Sequence, residues 1–168
     1  MIWLASIAQA SAAPLPHLYL PSADQARIDR SFSMIAINTP LIVARPRLKE
    51  DRQPACGGTC DWVDKDGVRY SFAGESADRR YLVAKTVRAS DYVWKAIPAL
   101  GIGQARDRAL VMAAVQRFMR GAPFDCSGPA GTPSPVTCRA PLKPGSVTIT
   151  FDAAGKLIEA RFVGYAAP

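Results

Sequence analysis

The stretch Ser146-Val-Thr-Ile-Thr-Phe-Asp-Ala-Ala-Gly-Lys-Leu-Ile-Glu-Ala-Arg-Phe-Val163 decides the fold class of this chain. Apolar and polar side chains alternate on both sides of its middle, which is typical of half-buried β-strands. The segment Asp152-Ala-Ala-Gly155 has the chemistry of a turn, because aspartate caps turns and glycine tolerates a positive φ. The stretch therefore predicts an antiparallel hairpin.

A second hairpin is predicted from Asp61–Val63 and Val68–Phe72, which flank Asp64-Lys-Asp-Gly67. Arg80–Val87 then predicts a third strand. Both hairpins carry Asp-x-x-Gly at the turn, follow a helix and follow a pair of cysteines, which suggests a duplicated helix–loop–hairpin unit. The alternative is that Asp-x-x-Gly is common turn chemistry.

Two helices are predicted around these strands. Ser22 is a suitable cap for a short helix over Ala23–Met34, and apolar residues at helical spacing predict the main helix over Ala105–Arg120. Ile35–Val43 is interpreted as a β run and Phe124–Pro144 as a long loop. The expected fold class is α+β, an antiparallel sheet of hairpins packed against one main amphipathic helix.

The N-terminus has the pattern of an export signal. Residues 1–13, MIWLASIAQASAA, place an apolar stretch before small residues, and no other segment is long and apolar enough to predict a membrane span. We therefore expect a periplasmic or secreted protein. Its parts would be the signal-like segment 1–13, a leader with the short helix over 14–45, and a disulfide-stapled α+β domain over 46–168.

Four cysteines support the same compartment. Cys56 and Cys60 form one close pair, and Cys126 and Cys138 form another. An even cysteine set in an exported chain predicts two disulfides, here with local pairing, although four cysteines allow three connectivities. Thiol exchange is disfavoured because Cys56-Gly-Gly-Thr-Cys60 precedes a strand and does not open a helix. The spacing also disfavours zinc.

The side chains that most hydrolytic or metal chemistry needs are scarce. His17 is the only histidine and lies in the leader. Asp64, Asp66 and Gly67 resemble part of a calcium loop but lack its remaining ligands. No catalytic residue, metal or cofactor is predicted.

The basic charge bears on partners. The net charge is +7, and arginine supplies most of it, which suits recognition of carboxylate or phosphate. Trp62, Arg69 and Tyr70 on the first hairpin predict a candidate binding surface, because aromatic and arginine side chains dominate protein-binding hot spots. Three arginines of the main helix region are added to it: Arg106, Arg117 and Arg120. The alternative for Trp62 and Tyr70 is a place in the core.

The second half of the sequence combines Gly101-Ile-Gly103 before the helix Arg108–Phe118, Gly121-Ala-Pro123 after it, and the hairpin starting at Val147. In these motifs residues 98–165 resemble the BamE/SmpA-type outer-membrane assembly proteins and the related β-lactamase-inhibitor-protein fold. The resemblance implies a periplasmic helix-plus-sheet protein that acts through protein surfaces without catalysis. No cysteine stands directly after the small residues of the signal-like segment, so a lipid anchor on an N-terminal cysteine is not expected, and no inhibitory contact residue can be transferred.

The expected function is that of an exported, non-catalytic binding protein of the cell envelope, an inhibitor or an assembly accessory. It would act through a sheet face and the disulfide-bounded loops on a protein partner, with no nucleic acid. One alternative is a small secreted enzyme that uses carboxylates or a thiol. The other is a protein that binds an anionic surface of lipid or polysaccharide.

Overall fold

A computed structural model describes residues 22–48, 59–76, 79–91, 97–128 and 135–164. Within them, the helices are α1 (Ala23–Phe32), α2 (Leu41–Ala44) and α3 (Arg108–Phe118), with 3-10 turns at Arg45–Arg47 and Ala99–Gly101. The strands are β1 (Thr59–Val63), β2 (Val68–Ala73), β3 (Tyr81–Arg88), β4 (Asp125–Ser127), β5 (Val136–Pro141), β6 (Ser146–Phe151) and β7 (Leu157–Val163).

The seven strands form one sheet in the order β1-β2-β3-β7-β6-β5-β4, and every neighbouring pair is antiparallel. The chain therefore has an α+β fold with an antiparallel sheet packed against helix, as the sequence predicts. The predicted third strand, β3, lies inside this sheet, between the two hairpins.

Both predicted hairpins are present, and their turns are built in the same way. The Asp64 carboxylate accepts hydrogen bonds from the amides of Asp66 and Val68, and the Asp152 carboxylate accepts them from Ala154 and Lys156. The glycine of each turn has a positive φ, 87° at residue 67 and 75° at residue 155. A side chain with Cβ would be strained there.

The two aspartate turns occupy different places in the sheet. The first joins edge strand β1 to β2, whereas the second joins β6 to the central strand β7. The order of the strands places β1-β2-β3 on one side of the β3–β7 contact and β7-β6-β5-β4 on the other. The two turns therefore do not occupy equivalent positions, and common turn chemistry accounts for their shared sequence.

The prediction of a long loop over Phe124–Pro144 is wrong. The segment supplies strands β4 and β5, which pair with Cys126 directly opposite Cys138. Val136, Cys138 and Ala140 alternate inward on β5 and are buried. The many prolines and glycines of this segment concealed that alternation; residues 129–134 lie outside the described parts.

The β run predicted over Ile35–Val43 is also wrong. Asn38 has a φ of 67°, in the left-handed region, and the chain then forms the short helix α2 after Pro40. The segment contacts the start of β3 without forming a strand: Asn38 donates to the Leu82 carbonyl, Leu82 donates to that of Thr39, and Leu41 donates to that of Arg80.

The helices cover the inner face of the sheet. Ser22 caps α1 with a reciprocal capping box, and Phe32 of α1 packs 6.2 Å from Phe162 of β7 between ring centroids. The helix predicted to begin at Ala105 begins at Arg108 and lies beside α1, where the guanidinium of Arg27 stacks 4.4 Å from the Phe118 ring centroid. Both helices therefore close the core.

Candidate functional site

The two faces of the sheet differ in chemistry. Side chains on the inner face are apolar and buried, as Phe72, Ile149 and Phe162 show. Alternate residues of each strand point to opposite sides of the sheet. Those on the outer face, which points away from α1, are mostly polar. This outer face is the candidate functional site.

Five residues from five neighbouring strands lie in one row across the outer face. Strand register places Arg69 opposite Thr86, Thr86 opposite Arg161, Arg161 opposite Thr148, and Thr148 opposite Arg139. We call these five residues the arginine–threonine row. Its three arginines lie on every second strand, so neighbouring arginines are about 9.5 Å apart at their backbones.

A second polar row lies beside the first. Arg88 is opposite Glu159, Glu159 is opposite Thr150, and Thr150 is opposite Thr137. The Arg88 Nε lies 3.0 Å from the Glu159 carboxylate, in a partly exposed ion pair. This pair neutralises the second row, so the net positive charge is concentrated in the arginine–threonine row.

The three arginines of that row have different environments. Arg69 lies 3.4 Å from the Asp91 carboxylate, whose pKa is lowered by a hydrogen bond from Ser90 and by Arg69. Arg161 and Arg139 are exposed and make no ion pair with the described residues. Two guanidinium groups, with the threonine hydroxyl of position 148 between them, are therefore available to a ligand.

The Cys126–Cys138 disulfide lies next to Arg139 along β5, on the inner face of the sheet. It joins β4 to β5, and the next pair along the same strands is Asp125 opposite Arg139. The bridge thus fixes the short edge strand to the strand that carries Arg139. Cys60 of β1 is also disulfide-bonded, whereas Cys56, its predicted local partner, lies outside the described residues.

Trp62 and Tyr70 are not part of this surface, contrary to the predicted binding surface. They are opposite each other on β1 and β2, point to the inner face and are buried. The period of the strand explains this: Arg69 points outward, so its neighbour Tyr70 must point inward. The alternative of a place in the core is the correct one for both aromatic residues.

None of the three helix-region arginines is part of this row, and Arg117 and Arg120 lie on the helix side of the sheet. Arg117 and Arg120 are exposed at the end of α3, and Arg120 lies 3.5 Å from Asp24 of α1. Arg106 is half-buried before α3 and donates to the carbonyls of Gly103 and Ala105. The predicted surface is therefore divided between two faces of the protein.

A buried polar cluster lies beneath the row on the inner face. Lys85 is completely buried, and its Nζ lies 2.6 Å from the Asp29 carboxylate of α1 and donates to the carbonyls of Asp29 and Ser33. Burial lowers the pKa of Lys85, although Asp29 partly opposes this effect. On the neighbouring strand the Tyr70 hydroxyl donates to Asp64, and burial raises the pKa of Tyr70.

This cluster attaches α1 to the sheet. Lys85 and Asp29 are paired with each other, the Tyr70 hydroxyl is paired with Asp64, and Asp29 also accepts from the Ile37 amide at 2.9 Å. We therefore assign it a structural role and place the candidate site on the outer face.

Sequence reasoning did not identify Arg139, Arg161 or Thr148 as site residues. The alternation over β6 indicates that Thr148 shares a face with Thr150. It does not show that Thr148 lies in one row with residues of β2 and β5. On β7 a bulge adds Ile158, so Leu157 points inward while Glu159 and Arg161 point outward. Simple alternation assigned these three residues to one face.

Searches of protein-family models, curated proteins and solved structures return no match to this chain. Within the described ranges, no group of histidine, cysteine and carboxylate side chains could hold a metal ion. No helix in those ranges is long and apolar enough to cross a membrane.

Proposed function

We propose that this chain is an exported, non-catalytic binding protein of the cell envelope that recognises an acidic partner protein through the arginine–threonine row. The observation that carries this proposal is the pair of exposed arginines, Arg139 and Arg161, on either side of Thr148 in one cross-strand row.

Guanidinium groups bind carboxylates with two parallel hydrogen bonds, so arginines whose backbones are fixed in a sheet favour carboxylates at a matching spacing. The arginine backbones are about 9.5 Å apart, which is two strand spacings. Carboxylates seven residues apart on a helix are separated by about 10.5 Å along its axis. An acidic helix laid across the strands is therefore the partner geometry that fits best.

The proposed location outside the cytoplasm is supported by the disulfide between Cys126 and Cys138, since such bonds persist in oxidising compartments. An inhibitor or an assembly accessory would both use a surface of this kind. The resemblance of residues 98–165 to envelope assembly proteins agrees with this proposal.

The competing hypothesis of a thiol enzyme requires a reduced cysteine. Every cysteine in the described residues is disulfide-bonded, namely Cys60, Cys126 and Cys138. Titration of the exported protein for free thiols tests this hypothesis directly. Two or more reactive thiols would favour the enzyme, and their absence would remove thiol chemistry.

Site-specific photocrosslinking in an envelope extract tests the proposed surface. A benzophenone side chain at position 148 is expected to give an adduct with an acidic protein, and Arg139→Glu/Arg161→Glu in the same chain is expected to abolish it. The same crosslinker at position 110 on α3, where Leu110 is exposed, is the matched control. No adduct at position 148, or an adduct that survives charge reversal, contradicts the proposal.

A further inference from the structure

A second surface of the protein combines exposed apolar and basic side chains. In the short helix α2, Ile42 is 69% exposed and Val43 is 62% exposed. They are among the most exposed large hydrophobic residues of the described chain. The arginine–threonine row does not include them, so they need a separate explanation.

The core does not require these two side chains. Leu41 and Ala44 point inward from the same turn and are buried. A four-residue helix that needs only to close the core would carry polar residues on its outward side. Here the outward side is apolar as well, and Ile42 and Val43 are adjacent on it.

The backbone beneath this turn is fixed to the sheet. Leu41 donates to the Arg80 carbonyl at 2.9 Å, and Pro40 is paired with Tyr81, whose side chain is 42% exposed. The turn that carries Ile42 and Val43 is therefore held in a defined position at the start of β3, where Tyr81 is partly exposed.

Basic residues flank the apolar ones. Arg47 follows Val43 by one helical turn and is exposed, and Arg79 is exposed two residues before Tyr81. One acidic residue, Glu75, lies in the neighbouring loop among the described residues, and the two arginines outnumber it. We call Ile42, Val43, Tyr81, Arg47 and Arg79 the apolar–basic tip.

We propose that the apolar–basic tip inserts into the surface of an anionic phospholipid bilayer. Apolar side chains with an aromatic ring and cations beside them fit the boundary between acyl chains and anionic headgroups. The net charge of +7 adds a general attraction to such a surface.

Charge also explains why a bilayer is a better occupant than a second copy of the chain. A two-fold contact would place the tip against its own copy. Arg47 and Arg79 of both copies would then be brought into one interface, and like charges oppose association.

Vesicle sedimentation tests the proposal. The purified chain is expected to bind vesicles made of equal parts phosphatidylglycerol and phosphatidylcholine, to bind pure phosphatidylcholine much more weakly, and to lose binding as salt rises. Ile42→Ser/Val43→Ser should weaken binding by about tenfold or more, because the apolar insertion is lost. Arg47→Gln should weaken it by about fivefold.

Leu110→Ser is the matched control, because Leu110 is 59% exposed on α3, away from the tip. All variants carry the same N-terminal residues, so the apolar segment at the start of the sequence contributes equally to each. Circular dichroism establishes that each variant is folded.

A tryptophan at the tip gives an independent measurement. Val43→Trp is expected to add a fluorescence component that shifts to the blue with anionic vesicles and not with phosphatidylcholine alone. Absence of binding, or binding that Ile42→Ser/Val43→Ser leaves unchanged, overturns the proposal. Loss of self-association with unchanged vesicle binding would also overturn it and identify a contact between copies. None of these outcomes bears on the arginine–threonine row, which shares no residue with the tip.

Discussion

At the scale of single residues, Asp64 and Asp152 form similar turns in different surroundings. Each accepts two backbone amides, but Asp64 also accepts the hydroxyl of the buried Tyr70 at 2.7 Å. We expect Asp64→Ala to lower the free energy of unfolding by about 1–3 kcal/mol more than Asp152→Ala, because it leaves a buried hydroxyl without an acceptor. Urea unfolding of both variants measures the difference. Equal losses would show that the tyrosine contact contributes nothing.

Tyr70 also gives a prediction about pH. Burial raises its pKa above the usual value of 10.0, so above that pH the unfolded chain releases a proton that the folded chain retains. The contribution of Tyr70 to the free energy of unfolding is therefore complete below pH 10.0. It is lost as the pH rises further, by up to about 1.4 kcal/mol per pH unit.

Tyr70→Phe has no proton to release, so the stability advantage of the wild type over this variant should shrink as the pH rises above the usual tyrosine pKa. Urea unfolding of both proteins at pH about 8 and about 10.5 checks this expectation. A constant difference between them would mean that the hydroxyl titrates normally in the folded protein.

Lys85 and Asp29 supply a test of the buried pair between β3 and α1. Lys85→Met leaves the Asp29 carboxylate without its cation, and we expect a loss of about 3–5 kcal/mol. Adding Asp29→Asn removes that charge but keeps an acceptor for the Ile37 amide, so it should restore part of the loss. If Asp29→Asn destabilises the Lys85→Met protein further, then uncompensated charge is not the cause.

At the scale of elements, the predictable parts are those determined by local chemistry. Ser22 and Gln25 form the capping box that begins α1, and the aspartate turns define both hairpins. The elements that were missed depend on distant contacts. β5 is recognisable by its burial against β6, and the turn at Asn38 is held by its hydrogen bond to Leu82 on β3.

The disulfide in the β4–β5 hairpin gives a prediction at this scale. Its cysteines are 12 residues apart, and the loop it closes is expected to contribute about 2–3 kcal/mol by restricting the unfolded chain. Cys126→Ser/Cys138→Ser should be less stable by this amount in urea unfolding. Amide exchange should accelerate in β4 more than in β6, because β4 is a three-residue edge strand. Unchanged protection of β4 would show that strand pairing alone holds it.

At the scale of the whole molecule, the candidate site depends on the order of the strands. Arg69 and Arg139 are far apart in the sequence, and they share a row only because β3, β7 and β6 lie between their strands. Sequence reasoning could place Arg69 on a hairpin surface. It could not find its companions, because strand alternation gives the face of a residue and not its neighbours across the sheet.

The distribution of charge gives the last prediction, with polyglutamate as the acidic probe. Arg139→Glu/Arg161→Glu and Arg117→Glu/Arg120→Glu each change two charges by two units, so both variants have a formal net charge of +3 in place of +7.

If binding depends on net charge alone, both variants should lose affinity for polyglutamate equally. If the arginine–threonine row binds carboxylates, reversal at Arg139 and Arg161 should weaken binding at least tenfold more, because these two arginines lie on either side of Thr148 in one row. Titration by fluorescence anisotropy at several salt concentrations separates the two cases, since only the difference that persists at higher salt reports direct contacts. Equal affinities for the two variants would remove the specific role of the row and leave a diffusely basic surface.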